Sequence, residues 1–163
     1  MADFPKLIPA FTLRVAIAPP QAISDTLNFV RFLAPGGSIA SDPSYPVQLN
    51  AALEHGADFI TLHPGGRHVC LDVQSLARDA GTGTPLRLTY RGKIATTGAA
   101  GRVLRGEDGA GTTSFGEACD EFEVGGGTEL AVLGEKVFVG SGRFVIEPGK
   151  PVIVEYKVSE VSG

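Results

Sequence analysis

His63, His68, Cys70 and Asp72 fall close together in the chain, and each carries a group able to move a proton, attack a carbon or hold a metal. They belong to the run from Asp58 to Gln74, whose two apolar arms flank Pro64-Gly65-Gly66-Arg67. If those four residues turn a hairpin, His63 pairs with His68, Thr61 with Cys70 and Phe59 with Asp72. Side chains alternate along a strand, so these six share one face with Gln74. Ile60, Leu62, Val69, Leu71 and Val73 then make an aliphatic opposite face. A one-residue slip would mix the two faces, so the pattern specifies its own register.

Three chemistries compete for the polar face. A metal would use His63 and His68, cross-strand neighbours about 5 Å apart, with Cys70 and Asp72. Closed metal sites draw three or four convergent ligands with supporting partners, which a hairpin tip does not offer. A Cys70–His68 nucleophile fails on distance, since residues two apart on one strand face stand about 7 Å apart. Cys70 reads as an inert buried thiol. Acid–base work fits best: in an enclosed apolar lumen Asp72 would be raised and His68 lowered by desolvation, giving a proton donor and acceptor near neutrality.

Tyr90 joins Asp72 and His68 as a catalytic candidate, being a polar member of an otherwise apolar strand. Phe59, His63, Gln74, Arg14, Phe115 and Tyr156 are candidates for contacting a substrate. Arg31 and Arg143 could hold a carboxylate or enolate, and Phe115 and Phe122 could close over an apolar ligand. Each has a plainer alternative as a surface ion-pair partner or a loop anchor. The residues also leave open which hairpin face looks inward, because polar-out is the default for antiparallel sheets. If the polar face lines the lumen, the aliphatic face needs cover from a second copy of the chain. If the aliphatic face lines it, a monomer suffices.

The elements that must position these groups are short and β-rich. With 163 residues the chain makes one domain, with a 43% hydrophobic and 20% charged composition ordinary for a globular protein. Its 22 glycines and 11 prolines punctuate β-branched runs, the habit of a many-turned β-protein. Strands are expected over 11–18, 28–33, both hairpin arms, 85–91, 101–104, 129–132, 137–139, 143–146 and 151–158. Ser24 could cap a short helix, and 47–55 suits a helix or a strand equally. The stretch 106–127 reads as a long loop, often a lid or binding loop in a compact domain.

Several function classes are disfavoured. A net charge of −4 with scattered basic residues argues against nucleic acid. No dinucleotide fingerprint or phosphate loop is present, no apolar stretch approaches a membrane span, and no signal-peptide pattern opens the chain. Two cysteines make no disulfide framework. A cytoplasmic protein without cofactor or bound metal is expected.

Gly56-Ala-Asp-Phe59, Leu71-Asp-Val-Gln74, Thr113-Ser-Phe115, Val137-Phe-Val-Gly140 and Val154-Glu-Tyr-Lys-Val158 occur in this order. Together they resemble the domain-of-unknown-function 3237 family of small bacterial and fungal proteins, from about Phe11 onward. The family pattern has Gly-Gly-Ala-Asp-Trp and then Leu-Asp-Ala-Arg-Tyr. This chain keeps both aspartates, as Asp58 and Asp72, but carries Phe59 for the Trp and Gln74 for the Arg. It has Ala131-Val-Leu-Gly where the family has Trp-Leu-Asn. The resemblance implies a β-barrel related in architecture to allene oxide cyclase-like and lipocalin-like barrels, with a pocket rebuilt in this member. Barrels of this size can hold a ligand, which favours a polar lumen and a homodimer or larger homo-oligomer.

The expectation is an all-β fold, a single antiparallel barrel over 1–163 with one or two short helices. Its expected function is cofactor-free isomerisation or cyclisation, pericyclic closure included, of a hydrophobic small molecule, as in natural-product biosynthesis. The alternative is a non-catalytic carrier.

Overall fold

The computed structural model describes residues 3–34 and 36–163. In chain order it contains β1 (Lys6–Ala16), β2 (Gln21–Ala22), β3 (Leu27–Arg31), β4 (Gly37–Ser41), β5 (Asn50–Leu62), β6 (His68–Asp79) and β7 (Pro85–Ala95). Helix α1 (Ala99–Leu104), β8 (Ala118–Gly126), a 3-10 segment Thr128–Glu135, β9 (Phe138–Val145) and β10 (Ile153–Ser162) complete it. Strands β4, β1, β10, β9, β8, β7, β6 and β5 pair antiparallel in that order, and the β5–β4 pairing closes the ring. The result is a closed eight-stranded barrel, with β2 and β3 added as a flap along the upper half of β5.

The hairpin register is the one its sequence pattern demands: Thr61 pairs with Cys70, Leu62 with Val69, and the His63 amide donates to the His68 carbonyl at 3.0 Å. Both short helices lie where strands were expected, over 101–104 and 129–132. Ala99, Ala100 and Arg102 favour a helix, and Gly101 packs so closely on the Thr96 carbonyl that a Cβ would overlap it. The segment 47–55 resolves to the start of β5, and Ser24 sits in the β2–β3 turn. The expected loop 106–127 is shorter than predicted, because β8 occupies its second half. There Ala118, Asp120, Phe122 and Val124 point inward while Cys119, Glu121 and Glu123 face out. A single aspartate among the inward residues masks that alternation.

One end of the barrel is filled. Phe11 packs its ring 5.3 Å from both Tyr45 and Phe138, with Leu13, Ile39, Leu86, Leu88 and Leu133 fully buried around them. Midway along the axis, Tyr90, Phe122 and Tyr156 form an aromatic trio with centroids 4.5–5.2 Å apart. Glycines make its room. A Cβ at Gly140 would overlap the Phe122 ring, and one at Gly142 the Tyr156 ring. Above the trio the lumen is open.

Candidate functional site

The aliphatic face of the hairpin is the inner one. Ile60, Val69, Leu71 and Val73 are buried, whereas Phe59 is 46% exposed and the Asp72 side chain 47% exposed. The enclosed Asp72–His68 proton pair expected from the sequence therefore has no enclosure. Asp72 instead accepts from Arg91 Nε at 3.2 Å on the outer surface, and Gln74 accepts from Arg87 Nη2 at 2.6 Å. His63 and His68 stack with centroids 4.3 Å apart at the hairpin tip. Partial desolvation there, then the charges of His63 and Lys93, hold His68 below its ordinary value.

Arg14 also lies outside, where it and Arg143 pair with Glu155. Phe115 lies beneath the Arg143 guanidinium at 4.5 Å, closing a loop onto the outer wall rather than over a ligand. The physical reason is common to all of these. A closed barrel of eight strands must fill its inside with apolar volume, and the longest aliphatic stripe outcompetes the polar one. Asp72→Asn and His68→Ala are accordingly expected to change stability by less than about 0.5 kcal/mol, which thermal melts check.

Of the expected site residues, Tyr90, Tyr156 and Phe122 are brought into the lumen, Phe122 as part of the buried aromatic trio on β8 rather than as a loop residue closing over a ligand. The two tyrosines meet a carboxyl group that the strand pattern did not single out. On β5 the inward residues are Ala51 and Leu53 in the lower half but Asp58 and Ile60 in the upper half. The switch from odd to even comes from a bulge between Leu53 and His55. An extra residue in one strand re-aims every side chain beyond it, and here it turns Asp58 into the barrel.

Asp58 is 7% exposed, and its Oδ1 accepts the Asp72 backbone amide at 2.9 Å. Desolvation pushes its carboxyl up to about 7 against the pull of the Asp72 backbone amide, with smaller upward contributions from the charges of Asp120 and Asp72. Asp120, on β8, accepts the Tyr156 hydroxyl on Oδ2 at 2.6 Å. Burial raises Asp120 to about 6, against the pull of Tyr156 and of the Lys93 backbone amide. That amide favours the charged form from nearby, yet no donor among the described residues meets hydrogen-bond geometry at the buried Oδ1. Tyr90 and Tyr156 are raised well above the ordinary phenol value, first by burial and then by the aspartates. Both therefore stay protonated as hydrogen-bond donors.

These groups form the floor of a cavity of about 600 Å³, within the roughly 300–1,000 Å³ of ordinary small-molecule sites. Along each strand the lining stops at one level: Asp58 on β5, Leu71 on β6, Tyr90 on β7 and Tyr156 on β10. Above that level the wall is apolar, including Ile60, Ile94, Phe32, Phe144 and Val152. The exposed Arg31 and Lys150 stand at the mouth. Asp120 lies behind the floor and reaches it through Tyr156.

Asp58 and Asp120 were legible in part. Asp58 shares its parity with Ile60 and Leu62, and Asp120 shares its parity with Phe122 and Val124. A carboxylate on the aliphatic side of an amphipathic strand is the sequence mark of a buried, perturbed group.

Fold and site together define a class: a closed small-molecule-sized β-barrel whose apolar chamber ends in a polar floor. The chain belongs to the family described as protein of unknown function (DUF3237), whose model matches residues 5–161. Its fold is similar to the crystal structure of a conserved protein of unknown function from Rhodopseudomonas palustris, at a TM-score of 0.75 and 16% identity, covering 99% of each chain. That likeness carries the barrel alone. No curated protein matches the sequence. Among the described residues no helix is long and apolar enough to cross a membrane.

Proposed function

We propose that the barrel binds a hydrophobic small molecule in its open half and isomerises or cyclises it by proton transfer at Asp58, without a cofactor. The observation that carries this reading is a carboxyl raised to about 7 at the closed end of an apolar cavity. A group of that acidity exchanges protons readily in both directions near neutrality. As carboxylate, Asp58 removes a proton from a carbon or hydroxyl of the ligand. As carboxylic acid, it returns that proton to another atom of the same molecule, so the reaction is proton-neutral overall.

The negative charge that develops on a ligand carbonyl or phenol oxygen meets Tyr90. Its hydroxyl has no hydrogen-bond partner among the described side chains and lines the cavity. A fixed donor in a dry site stabilises developing charge more than the same donor in water. Tyr156 is oriented by Asp120 and sets the shape of the floor. The apolar wall holds a flexible substrate in a reactive conformer, which is all that a pericyclic closure would require.

With the aliphatic face inside, the outer hairpin face needs no second copy to cover it, and the reading holds for a single chain. A small set of enolisable apolar ketones and phenols, incubated with the protein in D2O, tests it. Deuterium incorporation or isomerisation above the buffer rate is expected, lowered at least about 100-fold in Asp58→Asn and about 10-fold or more in Tyr90→Phe. Binding without exchange or conversion across the whole set would instead establish the carrier alternative.

A further inference from the structure

The chamber above Asp58 borders a second cavity of about 650 Å³, which lies against α1, the β2–β3 flap and the hairpin tip and opens to solvent at Asp25, Gly66 and Arg105. Pro20, Ile60 and Leu104 line both cavities, so these three side chains are the partition between them. They are not equally fixed. Ile60 is buried in the wall of the barrel, two residues from Asp58, and Pro20 has a locked φ. Leu104 is the last residue of a six-residue helix whose N-cap, Gly98, has no side chain, its first turn being held instead by the Ala100 amide donating to Glu117 Oε2 at 3.3 Å. That helix is held by the buried Ala100 and Gly101 at its start and by Arg105 Nη1 donating to the Thr96 carbonyl at 2.7 Å. The half-buried Leu104 isobutyl group is thus the adjustable part of the partition.

We infer that Leu104 sets the length of ligand the lumen accepts: the polar head rests on Asp58 and Tyr90, and an unbranched apolar tail ends against Leu104. The preferred substrate class is therefore a phenol or enol with a short to medium hydrocarbon tail. This rests on the reading that the open half of the barrel binds small molecules, and the two can fail separately. Each methylene buried adds about 0.8 kcal/mol, or roughly fourfold in affinity, until the tail reaches the partition.

The test uses 4-n-alkylphenols from propyl to dodecyl, titrated below their aggregation concentrations against the full chain, Leu104→Ala and Leu104→Phe. Calorimetry reads occupancy, and the ring NMR signals of Tyr90 and Tyr156, which line the site, report it independently. In the native chain affinity should rise with tail length to a maximum and then fall. Leu104→Ala should move that maximum to longer tails and tighten the dodecyl compound by about 10-fold or more, with propylphenol changed less than about twofold. Leu104→Phe should move it to shorter tails. An identical length profile in all three proteins, with propylphenol bound, overturns the role of Leu104 and leaves the binding reading standing. Failure of every alkylphenol to bind overturns the binding reading and this inference with it.

Discussion

Asp58→Asn is expected to make the protein more stable at pH 8 and useless as a proton-transfer catalyst. The folded chain holds the Asp58 carboxyl at about 7 against an ordinary value of 3.8. A carboxyl raised in the folded state binds its proton more tightly there than in the unfolded chain. Folding is therefore favoured at low pH, and stability falls as pH rises from about 4 through about 7, beyond which the whole penalty is present. The difference between 3.8 and about 7 corresponds to roughly 4 kcal/mol at most. Asp120, raised to about 6, acts in the same direction.

An amide cannot ionise, and its oxygen can still accept the Asp72 amide. Asp58→Asn should thus gain about 2–4 kcal/mol at pH 8, a rise in melting temperature of roughly 5–10 °C for a chain of this size. At pH 4 it should gain almost nothing. Melts of both proteins at the two pH values check the prediction. Equal gains at both would show that Asp58 is not a desolvated carboxyl. A functional group that destabilises its own fold is what a site maintained for chemistry rather than for packing should display.

Gly92→Ala should have the largest effect in the opposite sense. Gly92 lies on β7 directly across from Asp120, and a Cβ there would overlap both Asp120 Oδ1 and the Cys119 carbonyl. The carboxylate could turn aside, but the Cys119 carbonyl belongs to the neighbouring strand and cannot withdraw without opening the barrel. Overpacking of this kind costs about 3 kcal/mol or more, so the variant should melt at least about 6 °C lower or fail to fold. Gly125→Ala, on β8 facing open space, is the matched control and should be neutral or slightly stabilising. Equal behaviour of the two variants would contradict the packing described around the floor.

Much of the barrel was legible because its strands alternate cleanly. The hairpin register followed from Pro64–Arg67 as the turn and from the two-faced alternation of its arms, and the pairs Thr61–Cys70 and Leu62–Val69 bear it out. What alternation could not supply was the bulge at Leu53–His55, since a bulge is a property of two paired strands and leaves no mark in one. It reverses parity in the upper half of β5, and with it the fate of Asp58. Helix α1 escaped for a different reason: Val103 and Leu104 suit a strand, and the close packing of Gly101 on Thr96 that goes with the helix is a tertiary contact. The polar hairpin face misled because His, Cys and Asp on one side look like a site wherever that side points. Tyr90 and Tyr156 were found because each is a polar side chain among apolar neighbours of the same parity, the same mark that Asp58 and Asp120 carry.

The central claim is that this barrel shelters a carboxyl group that keeps its proton into the neutral range. Carbon-13 NMR titration of the aspartate carboxyl carbons addresses it directly, with Asp58→Asn supplying the assignment. An aspartate signal with a midpoint near 7 that disappears in the variant is the predicted result. A spectrum in which every aspartate titrates below about 5, as solvated carboxyls do, would contradict it.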